Sequence, residues 1–154
     1  MNINEKVVKK LIEKKLVISA AESCTGGLFT ALITDVAGSS EILEESIVTY
    51  SNAAKMRELG VLEDTLNSVG AVSYDTAKQM AEGIRRHTGA DIGVGITGIA
   101  GPGGGTPEKP VGTVFTAVSY NGNTTVTELH LKGTRSEIRN QTCENVFSTI
   151  DNMI

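Results

Sequence analysis

The chain contains few of the side chains from which metal centres, disulfide frameworks and histidine-dependent active sites are built. Its 154 residues include two cysteines, two histidines and no tryptophan. Cys24 and Cys143 lie far apart, and His87 and His130 occur in unrelated segments, so the spacing supports neither a zinc site nor a disulfide. We expect both histidines at the surface and predict no metal and no cofactor. If the chain is a hydrolase, a base other than histidine must activate its nucleophile.

The sequence also lacks a basic stripe and a long apolar run. It has 14 lysines and arginines against 18 aspartates and glutamates, a formal net charge of −4, with no pattern of basic residues and interleaved aromatics. This argues against a nucleic-acid partner. Residues 1–15 space their apolar side chains as an amphipathic helix and contain no uninterrupted apolar stretch. We therefore expect a cytoplasmic protein with no membrane partner.

The length and the order of the periodic segments predict a single α/β domain over residues 1–154. Strand patterns alternate with helical ones, which indicates a layered sheet. Asn121-Gly122 lies between two strand patterns and indicates a hairpin, so the sheet should be mixed. The predicted strands are 16–20, 46–50, 91–97, 112–120 and 124–131. The predicted helices are 4–14, 25–36, 52–59, 62–68, 73–87 and 135–151.

A cluster of nucleophilic side chains follows the first predicted strand. Ser23, Cys24 and Thr25 lie between the apolar run that ends near Ile18 and a helical pattern over 28–36. The first N–H groups of a helix have no partner within it, and they suit a phosphate or a developing oxyanion. The alternative is that Ser23 or Thr25 only caps the helix.

A tyrosine and a lysine follow the second predicted strand. Tyr50 lies at the strand end, and Lys55 lies about one helical turn further along. A lysine can replace histidine as the base of a serine nucleophile. Alternatively, Tyr50 is a partly buried strand end and Lys55 a solvated helix residue.

A glycine-rich loop over 98–110 is longer than a bare connection between two strands requires. It lacks the last glycine of G-x-G-x-x-G and opens no helix, so a Rossmann dinucleotide site is not predicted, and the chain has no Walker A sequence. Backbone at such a loop can approach a ligand closely, with Thr97, Thr106 and Lys109 as polar contacts. The competing interpretation is a merely mobile loop.

Two arginines begin the last predicted helix. Arg135 and Arg139 are one helical turn apart, and either phosphate capture or surface ion pairing would account for them.

Together these segments closely resemble the nicotinamide-nucleotide deamidase family, the stand-alone relatives of the C-terminal domain of the competence-damage-inducible protein CinA. The resemblance extends over about residues 5–150 in the family's order and spacing. It departs at Thr134, where the family more often carries an aspartate before the arginine. The matching blocks are Glu22 to Gly27, Tyr50 to Asn52 with Lys55, Gly70 to Ser73, Thr97 to Pro102, and Lys109 to Val114.

The resemblance implies a three-layer α/β/α sandwich with a mixed sheet of about five strands, and assembly into dimers or larger oligomers. It also implies hydrolysis of nicotinamide mononucleotide to nicotinate mononucleotide and ammonia, in pyridine nucleotide recycling. Ser23 would be the nucleophile, Lys55 its base and Tyr50 a partner in proton transfer. The expected substrate-binding residues are Glu22, Thr25, Gly26, Gly27, Asn52, Thr97, Gly98, Gly101, Gly103, Gly104, Thr106, Lys109 and Arg135.

Two alternatives from other classes stay open. The first is a non-catalytic module that binds a nucleotide phosphate through the glycine loop. The second is an accessory protein in competence or recombination, which only the family's name suggests, since the net charge of −4 gives it no support.

Overall fold

The structure is a computed structural model that describes all 154 residues. Five strands form one sheet: β1 (Ile18–Glu22), β2 (Leu43–Val48), β3 (Ile92–Gly98), β4 (Thr113–Tyr120) and β5 (Asn123–His130). Six helices accompany them: α1 (Ile3–Lys14), α2 (Leu28–Thr34), α3 (Asn52–Leu59), α4 (Glu63–Ser68), α5 (Tyr74–Thr88) and α6 (Arg135–Met153). None of these helices is both long enough and apolar enough to cross a membrane.

The sheet is mixed, as the sequence predicts. Its strand order is β2-β1-β3-β4-β5. Strands β2, β1 and β3 are parallel to one another, β4 is antiparallel to β3, and β5 is antiparallel to β4. Asn121 and Gly122 both have positive φ, 52° and 79°, which is the geometry of a two-residue hairpin turn between β4 and β5. The parallel strands all end at the same edge of the sheet, and this edge positions the candidate site.

Strand β3 has large apolar side chains on one face of the sheet and glycines on the other. On β3, Ile92, Val94 and Ile96 pack in the larger core beneath α1, α2 and α6. Gly93 and Gly95 face α5 on the opposite side, where a Cβ at either glycine would collide with α5 backbone. The missing side chains therefore let α5 lie directly on β3, and helices cover both faces in the predicted three-layer arrangement.

Several element bounds differ from the sequence prediction. The helix predicted over 25–36 begins only at Leu28, because Gly26 and Gly27 adopt positive φ and form a turn instead. The second strand runs over 43–48 rather than 46–50, and a short 3₁₀ helix, Ser39–Glu41, precedes it. The first strand is displaced by two residues and ends at Glu22, directly before the predicted nucleophile.

The close approach of α5 to β3 yields a stability prediction. In Gly95→Ala the new Cβ would meet the Ala77 carbonyl oxygen and lie 2.7 Å from the Ala81 nitrogen and 2.9 Å from Met80 Cβ. We expect the free energy of unfolding, measured by urea denaturation, to fall by about 1–3 kcal/mol. Gly103→Ala is the control, since its Cβ would meet no atom within 4 Å. Equal stability of the two variants would contradict the packing described for α5.

Candidate active site

The carboxyl ends of the parallel strands, with the glycine loop and the start of α6, surround a cavity of about 280 Å³. Ser23 and Lys55 lie in it beside Tyr50, Asn52 and Arg135. The other lining residues are Cys24, Ala71, Val72, Thr97, Gly98, Ile99, Ala100, Gly101, Gly103 and Gly104. Ten of the residues named from the sequence therefore share one cavity, although they come from four separate segments.

Lys55 reaches the predicted nucleophile from α3. Its Nζ lies 3.2 Å from Ser23 Oγ and donates to the backbone oxygens of Thr49, at 2.8 Å, and Tyr50, at 3.4 Å. The side chain is buried, with the residue only 1% exposed, and no carboxylate pairs with it. Burial lowers the pKa of Lys55 because an ammonium without a counter-ion loses hydration there. A neutral Lys55 amine can accept the Ser23 proton.

The start of α3 explains how Lys55 is aimed at Ser23. Ser51 caps the helix by accepting a hydrogen bond from the Ala54 N–H at 3.0 Å. Lys55 occupies the first turn, so its side chain points back towards the strand ends rather than into solvent. The sequence interpretation of Lys55 as a solvated helix residue is therefore wrong.

The turn after β1 is held by the carboxylate of Glu22. This fully buried group accepts hydrogen bonds from Thr25 Oγ1 at 2.6 Å, Thr30 Oγ1 at 2.7 Å and the N–H groups of Gly27, Phe29 and Thr30 at 3.0–3.2 Å. The helix N-terminus that the sequence suggested for a phosphate or oxyanion thus already holds an anion from the chain itself. This result corrects the sequence-based expectation for the N–H groups at the start of α2.

Four residues expected to contact substrate instead form this turn. Glu22 and Thr25 have no exposed surface, and Gly26 and Gly27 supply the positive φ that the turn requires, 58° and 102°. None of the four lines the cavity. Their placement gives them a part in shaping the turn that presents Ser23.

Arg139 supports the same turn from the other side. Its guanidinium donates to the backbone oxygens of Cys24 at 3.2 Å and Thr25 at 2.6 Å. The surface ion pair suggested by the sequence is therefore wrong for Arg139, whose guanidinium bonds the turn and does not line the cavity. These bonds join residues more than 100 positions apart, so the spacing of Arg135 and Arg139 along the helix could not predict them.

Arg135 does point to the cavity, but it joins two other lining residues. It donates to the Gly101 carbonyl oxygen at 2.7 Å and to the Tyr50 hydroxyl at 3.2 Å. Thr134 caps α6 in place of the family's more usual aspartate, accepting from the Glu137 N–H at 3.2 Å. The Tyr50 hydroxyl bonds neither Ser23 nor Lys55, and the residue is 61% exposed, so its part in proton transfer stays a prediction.

The glycine loop contains backbone donors without acceptors, four of them on the cavity-lining residues Ala100, Gly101, Gly103 and Gly104. The N–H groups of Ala100, Gly101, Gly103, Gly104 and Gly105 donate to no acceptor within the chain. Gly101 and Gly104 have φ of 81° and 87°, which only glycine adopts without strain. Successive free N–H groups of this kind form concavities that bind anions.

Thr106 and Lys109 shape this loop from outside the cavity. Thr106 exchanges two hydrogen bonds with the Lys109 backbone, and Lys109 Nζ donates to the Val69 carbonyl oxygen at 2.6 Å. Thr97 lines the cavity while its hydroxyl donates to the Ala71 carbonyl oxygen at 2.8 Å. The bonds to Val69 and Ala71 bring the segment before α5 into the cavity wall. The site residues predicted from the sequence do not include this segment, although Gly70 to Ser73 is one of the matching blocks.

Cys24 is the competing nucleophile at the turn. Burial is the largest of the effects that raise the pKa of its thiol to about 11, although Arg139 acts in the opposite sense. The thiol therefore stays protonated near neutral pH, and the protonated form is a poor nucleophile. No group of three or more histidine, cysteine, aspartate or glutamate side chains is placed to hold a metal ion.

These features define an α/β protein with a buried serine–lysine pair at the carboxyl ends of its parallel strands. The chain belongs to the family described as CinA C-terminal domain, which it matches over residues 1–154.

Relatives of known sequence are similar to nearly the whole of this chain. A putative competence-damage inducible protein of Acetivibrio thermocellus is 52% identical over 142 residues, and a CinA-like protein of Kosmotoga olearia is 53% identical over 140. These matches cover 92% and 91% of this chain but 34% of each relative, so the chain spans about a third of their length.

Solved structures share the fold. The competence/damage inducible protein CihA from Agrobacterium tumefaciens is 41% identical with a TM-score of 0.93, covering 99% of this chain and 96% of that one. A CinA superfamily protein from Escherichia coli is 28% identical with a TM-score of 0.94, covering 99% and 88%.

The burial of both thiols yields a prediction that needs no substrate. Cys24 and Cys143 are buried, and burial raises the pKa of each. We expect Ellman's reagent at pH 8 to react with neither thiol of the folded protein at an appreciable rate, and with both after denaturation. Rapid reaction of one thiol in the native protein, lost in Cys24→Ala, would instead identify Cys24 as an accessible thiolate.

Proposed function

We propose that the chain hydrolyses the carboxamide of nicotinamide mononucleotide to nicotinate mononucleotide and ammonia. The observation that carries the proposal is the buried Lys55 amine, 3.2 Å from Ser23 Oγ and unpaired with any carboxylate. In that setting Lys55 is better suited to transfer a proton than to form a structural ion pair, because no carboxylate lies beside it. The resemblance to nicotinamide-nucleotide deamidases supplies the substrate.

The first half of the reaction forms an acyl-enzyme. Ser23 Oγ attacks the carboxamide carbon while the neutral Lys55 amine takes the hydroxyl proton. The resulting Lys55 ammonium returns a proton to the amide nitrogen as the tetrahedral intermediate collapses. The C–N bond breaks, ammonia leaves, and the nicotinate acyl group remains as an ester on Ser23.

The second half returns the enzyme to its starting state. Water attacks the ester carbon as Lys55 takes one of its protons, and the C–O bond to Ser23 breaks with return of that proton to Oγ. The product is the carboxylic acid of nicotinate mononucleotide. One amine serves as base and acid in both halves, which is why its pKa must lie below that of an ordinary lysine.

Two sets of free backbone donors complete the proposed site. The N–H of Cys24, a cavity-lining residue directly after the nucleophile, has no acceptor within the chain and is a candidate donor to the oxyanion. The free N–H groups over residues 100–105, with the Arg135 guanidinium nearby, suit the nucleotide phosphate. On this assignment the loop binds the substrate's phosphate and the turn stabilises the reacting carbonyl.

The proposal predicts a strong preference for the nucleotide. Ammonia release should be measured with the mononucleotide, its riboside and free nicotinamide as parallel substrates. We expect the riboside to show a specificity constant about 100-fold lower, because phosphate binding energy contributes to the transition state. Equal constants would exclude the phosphate assignment, and no ammonia from any of the three would favour the non-catalytic nucleotide-binding alternative.

Two neighbouring substitutions separate the candidate nucleophiles in that assay. Ser23→Ala removes the attacking oxygen, whereas Cys24→Ala removes a thiol that is protonated near neutral pH. Activity should therefore disappear in the first variant and persist in the second. The reverse result would assign the chemistry to Cys24.

Lys55 yields a pH-dependent prediction. Because the pKa of Lys55 is lowered, its neutral fraction should rise with pH, and the rate should rise with it. Both should level off below the ordinary lysine pKa of about 10.4. Lys55→Arg keeps the positive charge but cannot lose it, so we expect turnover to fall about 10²- to 10⁴-fold. Ammonia release across a pH series measures both effects. A variant that retains most of the activity, with an unchanged pH profile, would place the base elsewhere.

A further inference from the structure

We infer that Glu22 is a positioning residue for the nucleophile: its buried carboxylate anchors the turn after β1 to the start of α2, and this anchor holds Ser23 Oγ against the Lys55 amine. The inference rests on the proposed function only in that Ser23 acts as a nucleophile. Glu22 does not line the cavity, and no hydrogen bond joins its carboxylate to Ser23 or Lys55. This is a different part from the substrate contact that the resemblance implies for Glu22.

The two carboxylate oxygens of Glu22 divide the start of α2 between them. Oε1 accepts from Thr25 Oγ1 at 2.6 Å and from the N–H groups of Gly27 and Phe29 at 3.2 and 3.0 Å. Oε2 accepts from the N–H and the hydroxyl of Thr30 at 3.0 and 2.7 Å. The carboxylate forms no ion pair, so these five donors alone compensate its burial. A neutral amide in its place would turn an NH₂ group towards the Thr30 N–H and leave a buried donor unpaired.

Glu22 and Ser23 are consecutive residues whose side chains serve opposite layers of the fold. Ala20, two residues before Glu22, packs in the core beneath α2, whereas Ala21, two residues before Ser23, packs against α3 and α5. In the same alternation, the Glu22 carboxylate bonds α2 and Ser23 Oγ contacts Lys55 of α3. A rotation of the backbone at one residue turns the other, so the five bonds on the α2 side fix the direction of Ser23 on the α3 side.

A series of hydrogen bonds places the amine relative to the same residue. The Glu22 carbonyl oxygen accepts from the Thr49 N–H at 2.9 Å. The Thr49 carbonyl oxygen accepts from Lys55 Nζ at 2.8 Å, and Nζ lies 3.2 Å from Ser23 Oγ. These contacts form a closed ring from Glu22 through Thr49 and Lys55 to Ser23. Nucleophile and base are therefore both positioned from Glu22, through its side chain on one side and its backbone on the other.

The first pair of variants separates positioning from general stability. Glu22→Gln removes the charge at nearly constant size, and Gly93→Ala is its control, because the new Cβ would meet the Ala81 carbonyl oxygen at the start of β3, away from the turn. In ammonia release from the mononucleotide, we expect kcat to fall about 10- to 100-fold in Glu22→Gln, since small displacements of reacting groups cost that much. KM should change less than about threefold, because Glu22 lines no part of the cavity. Gly93→Ala should keep kcat within about threefold, even where urea denaturation shows an equal loss of stability.

A milder pair of variants decides the matter if Glu22→Gln does not fold. Thr30→Val removes a single bond to the carboxylate and leaves the Thr30 N–H in place. Thr34→Val is the matched control, because its hydroxyl lies at the end of the same helix and donates only to the Ala31 carbonyl oxygen, at 3.0 Å. We expect kcat to fall about three- to tenfold in Thr30→Val and less than about twofold in Thr34→Val.

Cys24 reports on the turn without any substrate. Its side chain is buried directly after Ser23, so a loosened turn would expose the thiol while the rest of the protein stays folded. We expect Ellman's reagent to react with one thiol of folded Glu22→Gln, and this reaction to be lost when Cys24→Ala is added. Folded Gly93→Ala should stay unreactive.

A fluorophosphonate measures the activation of Ser23 apart from amide hydrolysis. The Ser23 Oγ–phosphorus bond forms as the phosphorus–fluorine bond breaks, fluoride leaves and Lys55 takes the hydroxyl proton. Intact-mass kinetics should give the same rank order of variants as kcat. If this order holds but the mononucleotide yields no ammonia, the proposed function fails and the inference stands.

Four results would overturn the inference. The first is a Glu22→Gln variant whose kcat and labelling rate equal those of Gly93→Ala. The second is a raised KM with an unchanged kcat, which would make Glu22 a substrate-binding residue. The third is an unreactive Cys24 in a slow Glu22→Gln variant, which would show that the turn had not moved. The fourth, if Glu22→Gln does not fold, is an equal kcat in the two threonine variants. Ammonia release together with any of these would leave the proposed function intact, whereas no labelling and no ammonia in the unmodified protein would overturn both.

Discussion

The site depends on the burial of the Lys55 amine, which is unfavourable for the charged form of the side chain. Lys55 carries its amine to the ends of the parallel strands, where two backbone oxygens and the Ser23 hydroxyl are its partners and no carboxylate compensates its charge. Transferring an unpaired ammonium from water costs free energy, and a folded protein can relieve that cost by releasing the proton. The burial that costs free energy therefore also lowers the pKa of the amine, so that Lys55 can act as a base towards Ser23.

The nucleophile turn is stabilised by opposite charges on its two sides. The Glu22 carboxylate accepts from the N–H groups that begin α2, while Arg139 donates to the carbonyl oxygens before them. Each charge meets the end of the peptide dipole that it favours, so the turn is held without a contact to substrate. This division leaves the cavity to Ser23, Lys55 and the glycine loop, and it makes the residues behind the turn as important to its shape as those that line it.

Periodicity and turn chemistry predicted the mixed sheet, the Asn121-Gly122 hairpin and the order of the elements, because these depend on neighbours along the chain. Local patterns left Lys55 open as either a base or a solvated residue, and the family resemblance paired it with Ser23. The structure places the two side chains in contact because both follow parallel strands that end at one edge. Neither the local patterns nor the resemblance indicated the contacts that Glu22 and Arg139 make. The carboxylate of Glu22, at the end of β1, accepts from the start of the next helix, and the guanidinium of Arg139 bonds carbonyl oxygens more than 100 residues away. Both contacts depend on tertiary packing, which spacing in the sequence does not encode.

The acyl-enzyme is the species that most directly tests the proposed serine–lysine chemistry. The protein should be mixed with excess nicotinamide mononucleotide, quenched in acid within the first turnovers and digested for peptide mass analysis. The account predicts a nicotinate mononucleotide ester on the peptide that contains Ser23, located on Ser23 by fragmentation and absent from Ser23→Ala. An adduct on Cys24, or continued ammonia release by Ser23→Ala without any adduct, would contradict it.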